Sequence, residues 1–385
     1  MGLFISFNNI VNNFLLPEGF RDTLPSLAAK EVSILSIFFD LMFKTGYHIV
    51  KPSIVEFEKS LFFLNSDTEN TNSFRLLDPL SQKMMGLRSD MTTQIARIAS
   101  STLKKKRPLR LSYFGEILKV KNSQLNLSRQ STQLGAEFIG INNNHDEFEI
   151  IELVIMFLNK LKINDYSISL SMPSLFNAVC EDFNLDKSKK EALKQCYENK
   201  NLSEIKKISS KLHELSTILI NSIGMFSKNI KTLEKFNFPK NTKIQINDYI
   251  KSLKFIKSKL KQTEINIDPV EIDKFGYHDG ILFKFYSKNF GELVSGGKYN
   301  ISNEHCIGFS CLLENLSKES FIEKKKVKKI FVPHTEKNVS RAELIKKDFF
   351  IVDGFSKTLE GKMQDLEIKN ECDYILLNNK VMKNK

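Results

Sequence analysis

The stretch RQSTQLGAEF, residues 129–138, carries Arg129, Gln133, Gly135 and Glu137 at odd-numbered positions. Successive side chains of an extended chain point to opposite faces, so these four share one side of a strand. LRSDMT, residues 87–92, repeats the alternation with Arg88, Asp90 and Thr92. Two carboxylates, an amide, a hydroxyl and an arginine gathered over one sheet would form a polar pocket for a small zwitterion. Asp90 and Glu137 would accept hydrogen bonds from its ammonium, and an arginine would grip its carboxylate. The same alternation also describes an exposed sheet face with charge pairs across its strands.

Strands must hold these side chains in place. LRLSYFGEILKVK and RQSTQLGAEFIGI alternate like paired antiparallel strands, joined by a polar loop around Asn122–Asn126. FRLLDPLSQKMMGLRSD reads as a hairpin turning at Asp-Pro-Leu-Ser, and HIVKPSIVEF as a strand and loop. MTTQIARIAS predicts a helix with Thr92 or Thr93 near its cap. Leu27 to Tyr47 has apolar residues at helical spacing and stops at Gly46, while HDEFEIIELVIMFLNKL is an amphipathic helix with acids in its first turn. Residues from about 170 to 262 form a Lys-rich helical insertion. Strand texture then returns in GILFKFYS, GELVSGGKYN and CIGFS, the last leading into the helix CLLENLS. From Val327 onward strand and helix alternate as a small β-α-β-α-β unit. The expectation is an α+β protein. Residues 1–320 form a mostly antiparallel sheet flanked by helices, and residues 327–385 a separate small unit.

A chain of 385 residues can bury a large core, and 41% apolar with 26% charged residues is an ordinary globular composition. The net charge of +12 admits an acidic partner or a solvated Lys-rich surface. The basic runs Lys104–Arg107 and Lys324–Lys329 fall between elements and lack interleaved aromatics for base stacking, so nucleic acid is not an expected partner. Cys180, Cys196, Cys306, Cys311 and Cys372 are scattered without a C-x-x-C pair, which argues against a zinc site or disulfide framework and for a cytoplasmic setting. No run of eighteen apolar residues exists to span a membrane. The Asn-broken start does not suit a signal peptide, and MGLFIS matches a myristoylation pattern too loosely to count. Neither G-x-G-x-x-G nor a P-loop occurs, so no nucleotide cofactor or metal is expected.

The segments LPEGFRDTLP, TGYHIVKPSIVEFEKSL, LRSDMTTQIARI, RLSYFGEILKVK, RQSTQLGAEFIG, GYHDGILFKF and SGGKYN…IGFSCLLENL occur here in one order. In that order they resemble histidyl-tRNA synthetase and its paralogue, the regulatory subunits of ATP phosphoribosyltransferase. The resemblance covers roughly residues 15–317 apart from the helical insertion, and it implies the class II synthetase core. It also implies a histidine-binding set. Asp90, Thr92, Gln133 and Glu137 match positions that hold the ammonium and backbone of histidine, and Arg129 and Gln130 match their neighbours. Tyr277 stands where the family sets an aromatic against the imidazole; His278 beside it is either a ligand contact or a packed, hydrogen-bonded histidine.

Departures from the synthetase pattern fall on the path of the ATP phosphates. Lys119 and Lys121 replace an arginine and a glutamate of the second family motif, and a lysine lacks the bidentate fork. Asp273 stands at the position of a catalytic arginine, where a carboxylate would repel developing negative charge. The third motif ends Gly-Leu-Glu-Arg in the family and Leu312-Leu313-Glu314-Asn315 here. Glu116 and LRSDMT follow the regulatory paralogue, and the C-terminal unit is short for an anticodon-binding domain. The resemblance therefore implies a non-catalytic regulatory subunit in the first step of histidine biosynthesis. Its expected partner is the short-form catalytic subunit in a hetero-octamer, with dimeric self-association and histidine as effector. A divergent synthetase or a tRNA-binding paralogue is the competing expectation.

Overall fold

A computed structural model describes residues 15–384 apart from 62–71, 105–106, 122–127, 142–145, 262, 274–277, 302–303, 322–327, 335–340, 348, 355–358 and 379. The chain divides into two compact units, Met1–Ile322 and Glu323–Lys385.

The first unit is built on a nine-stranded sheet. Helix α1 (Pro25–Lys44) starts two residues earlier than its apolar spacing suggests, because Pro25 suits the first helical turn. It ends where Gly46 takes φ +81°. Strands β1 (His48–Ile49) and β2 (Val55–Phe57) and a short helix, α2 (Glu58–Leu61), follow. The expected hairpin is β3 (Arg75–Leu77) and β4 (Met84–Leu87), which with β2 makes a separate three-stranded sheet. Asp78 accepts the amides of Leu80 and Ser81 at 3.1 and 3.2 Å and the Ser81 hydroxyl at 2.6 Å, which closes its turn. Helix α3 (Thr92–Ser101) leads to β5 (Leu109–Leu118), which pairs over its whole length with β6 (Gln130–Ile139) in antiparallel register. The loop expected around Asn122–Asn126 lies outside the described residues.

Helix α4 (Asp146–Lys160) precedes β7 (Tyr166–Ser171). Between β7 and β9 (Ile265–Asp268) run helices α5 (Ser174–Asp182), α6 (Lys187–Glu198), α7 (Leu202–Ile208), α8 (Ser210–Asn221), α9 (Phe226–Lys235) and α10 (Lys240–Lys259), with β8 (Gly224–Met225) before α9. Strands β10 (His278–Ser287), β11 (Gly291–Ile301) and β12 (Glu304–Leu312) and helix α11 (Leu313–Glu319) complete the unit. The strand order is β1-β5-β6-β12-β11-β10-β7-β9-β8. From β5 to β7 every pairing is antiparallel; β1 on β5 and β7 on β9 are parallel, so the sheet is mixed at its margins.

The two faces of β6 have different tasks. Leu134, Ala136 and Phe138 enter the main core with Ile34 and Phe38 of α1 and Phe157 of α4. There the Phe38 ring meets Phe157 at 5.2 Å and Phe309 at 6.4 Å, edge to face, contacts of about 1 kcal/mol each beyond the area they bury. The opposite face carries Gln133 and Glu137 toward a smaller cluster of Met91, Ile95, Tyr113 and Tyr299. A period of two thus separates an apolar core from a polar site on one strand.

The second unit has the order β14-β13-β15-β16 for β13 (Lys328–Val332), β14 (Phe349–Asp353), β15 (Tyr374–Leu377) and β16 (Lys380–Lys383). Helices α12 (Arg341–Lys346) and α13 (Leu359–Asn370) alternate with the three parallel strands. The final antiparallel strand, β16, extends the β-α-β-α-β pattern that the sequence suggests. Asn378 at φ +49° makes its turn, since asparagine tolerates the left-handed region. Among the described residues no helix is long and apolar enough to cross a membrane, and the five cysteines are buried and unpaired.

Candidate ligand-binding site

A cavity of about 870 Å³ opens on the polar face of the sheet, between α3, β10, β11, β12 and the end of β5. Its deep end is acidic. Glu137 is 1% exposed, and its oxygens accept the hydroxyls of Tyr113 at 3.0 Å and Tyr299 at 2.7 Å. Burial pushes its carboxyl up to about 8, and the nearby Asp90 charge acts in the same direction against those hydroxyl bonds. Gln133 stands behind Asp90: its Oε1 accepts the Met91 amide at 2.9 Å, which aims its Nε2 at Asp90 Oδ1, 2.7 Å away. Among the described residues, Asp90 Oδ2 is buried without a hydrogen-bond partner. Thr92 is the first residue of α3, whose N-cap is Met91, and its hydroxyl lies 3.2 Å from that of Tyr113.

Four of the expected residues therefore meet at the deep end in a network of two neighbouring sets, Asp90 with Gln133 and Thr92 with Glu137 through Tyr113. His278 joins the same wall. Its ring Nδ1 lies 3.0 Å from Asp273 Oδ2, which also accepts the His278 amide at 2.8 Å. Thus the carboxylate at the expected position of a catalytic arginine holds the first residue of β10. Tyr277 lies outside the described residues.

Neither arginine of the expected pocket lies in this network. Arg129 precedes the first residue of β6, and its guanidinium lies over Phe20 and Phe74 at 5.3 and 4.7 Å, outside the cavity lining. Arg88 follows the last residue of β4, so strand alternation does not govern it. It turns away to bond the carbonyls of Glu116 at 2.7 Å and Pro52 at 3.0 Å and Gln94 Oε1 at 3.3 Å. Its role is to fasten β5 to the segment before β2.

Tyr113, Tyr299 and Gly308 escaped sequence reasoning. Tyrosines in apolar strands read as core, and only the glycine doublet before Tyr299 marks a close approach. Gly308 lies opposite Glu137 on the paired strand, and a Cβ there would stand 1.7 Å from Glu137 Oε2.

The outer end of the cavity is lined by Lys119, Lys121, Lys318, Leu312 and Asn315. The Asn315 amide donates to the Glu292 carbonyl at 3.1 Å. Glu314 turns out of the cavity lining, and its Oε1 accepts the Thr132 amide at 2.9 Å, tying α11 to β6. Lys284 also lines the cavity but is committed to Glu271 at 2.6 Å. Burial opposes its charge, yet the Glu271 carboxylate prevails and raises the ammonium above its usual range. No arginine lines the cavity among the described residues.

Comparison with known proteins agrees with this arrangement. The sequence profile of the histidyl-tRNA synthetase family matches residues 19–316. The chain is 32% identical over 325 residues to an ATP phosphoribosyltransferase regulatory subunit of Paramagnetospirillum magneticum, covering 84% of this chain and 86% of that one. It is 30% identical over 306 residues to the subunit of the same name from Rhodospirillum rubrum, covering 78% and 80%. A Bacillus halodurans structure described as an ATP phosphoribosyltransferase regulatory subunit/histidyl-tRNA synthetase superposes with a TM-score of 0.77 at 20% identity, covering 91% of this chain and 96% of that one. Histidyl-tRNA synthetase from Nostoc sp. PCC 7120 gives 0.73 at 15% identity, over 95% and 91%. These likenesses establish the class II synthetase fold, and the chain belongs to the histidyl-tRNA synthetase family, among the ATP phosphoribosyltransferase regulatory subunits.

Proposed function

We propose that this chain is a regulatory subunit of short-form ATP phosphoribosyltransferase with no synthetase turnover of its own. The carrying observation is the unequal state of the cavity's two ends. The deep end keeps two buried carboxylates, with Asp90 Oδ2 open to accept from an amino acid's ammonium, while the outer end offers lysines and an asparagine where adenylate chemistry needs fixed guanidinium groups. A chain that can hold histidine but cannot position ATP suits a sensor better than a ligase. In the proposed assembly dimers of this chain join the short catalytic subunit in a cytoplasmic hetero-octamer and activate it. Histidine bound at Asp90, Thr92, Gln133, Glu137 and His278 then favours the inhibited arrangement, which requires unequal affinity for the two states. The Lys-rich surface is taken as solvated, and nucleic acid has no part in this reading.

A divergent synthetase would use Lys119 and Lys121 to hold phosphate, and the two readings separate experimentally. Histidine-dependent ATP–pyrophosphate exchange is expected to stay at the background rate, while the chain co-elutes with the short catalytic subunit as one species in light scattering. Exchange above background, or two separately eluting proteins, contradicts the proposal.

A further inference from the structure

The three-stranded sheet β2-β4-β3 has one apolar face that no described residue buries. Directly paired residues share a side, so Phe57, Met85 and Leu76 form one row and Val55 and Leu87 the next. The ladder continues to Phe74, whose carbonyl accepts the Leu87 amide at 2.9 Å. None of these six is buried or belongs to a core cluster, and Phe57 is 42% and Leu76 37% exposed. The opposite face is anchored to the unit. There Glu56 accepts from Gln94 at 2.9 Å and from Arg97 at 3.1 Å, both on α3, and Gly86 beside it is buried. An apolar sheet face is ordinarily covered by a second layer, and one left open marks an interaction surface.

Both ends of this face are basic. At the hairpin tip Lys83 stands over the Phe57 ring, 5.7 Å from its centroid, and at the far end the Arg129 guanidinium lies 4.7 Å from that of Phe74. Neither cation has a carboxylate within 4.0 Å among the described residues, and the six apolar positions include no acid. We propose that this face is where the catalytic subunit of the assembly docks, with an apolar surface flanked by carboxylates. The inference rests on the regulatory-subunit reading above and adds the surface through which that subunit is met. Charge argues against a second copy of this chain as the occupant. In a two-fold contact cations would meet cations whichever way the strands ran, and the net charge of +12 adds to the repulsion.

The test is association of the full chain with its cognate short catalytic subunit, read as a dissociation constant and by light scattering. Phe57→Glu and Leu76→Glu are each expected to weaken association about thirtyfold. Lys83→Glu should weaken it about tenfold at low salt and less at high salt. Ile244→Glu, at an exposed apolar position of α10, should change nothing. The mass and melting temperature of the chain alone should stay the same in every variant. If the parent associates and the Phe57 and Leu76 variants associate equally well, the inference is overturned and the regulatory reading stands. Loss of self-association in those variants also overturns it, by assigning the face to copies of this chain. A melting temperature lowered by both substitutions overturns it too, because the face is then covered within the chain. A parent that does not associate at all overturns both readings.

Discussion

Glu137→Gln is expected to weaken histidine binding about a hundredfold and, in the same protein, to raise thermal stability without ligand. The loss follows from removing one charge of a buried charge pair, which typically costs about 3 kcal/mol. The gain has the opposite origin. Burial raises the Glu137 carboxyl to about 8, whereas the unfolded chain ionises it near 4.5. Between those values the folded state binds more protons than the unfolded state, so this group lowers stability as pH rises from about 4.5 to about 8. An amide avoids that penalty, its oxygen accepting from one tyrosine hydroxyl while its NH2 donates to the other, and its advantage in melting temperature should vanish toward pH 4.5. Calorimetric melting of both proteins at pH 5 and pH 8, together with histidine titration, checks both halves. A variant less stable at pH 8 than the parent would show that the carboxylate is a structural prop rather than a strained binding group.

Gly308→Ala should damage the same site from the facing strand. Its Cβ would lie 1.7 Å from Glu137 Oε2 and 2.7 Å from the Ala136 carbonyl, so either the carboxylate leaves its tyrosines or β12 leaves β6. Overpacking of this kind costs roughly 1–3 kcal/mol. A melting temperature several degrees lower and loss of histidine binding are expected together. Normal binding in this variant would mean that Glu137 does not touch the ligand.

Where the chain's period matched its surroundings, the sequence was readable. On β6 the even positions Leu134, Ala136 and Phe138 are apolar, so the odd positions Gln133 and Glu137 had to face something else. The same parity rule misled at Arg129 and Arg88, because each lies one residue outside a strand and follows its local partners instead: two phenylalanine rings in one case, backbone carbonyls in the other. The parallel margins of the sheet left no local trace. β1 has two residues, and the partner of β7 comes only after six helices. Tyr113 and Tyr299 were invisible for a different reason: an apolar ring with a hydroxyl suits a core equally well, and only the folded register aims both hydroxyls at one carboxylate. The Glu314–Asn315 pair was partly legible. Its missing arginine was clear, but that Glu314 braces β6 is visible only in the fold.

The measurement that bears most directly on the regulatory role is phosphoribosyl-ATP formation by the cognate short catalytic subunit, alone, with this chain, and with this chain plus histidine. The account predicts a clear rise in rate on adding the chain and its reversal by histidine. A catalytic subunit whose rate is indifferent to the chain, with or without histidine, would contradict it.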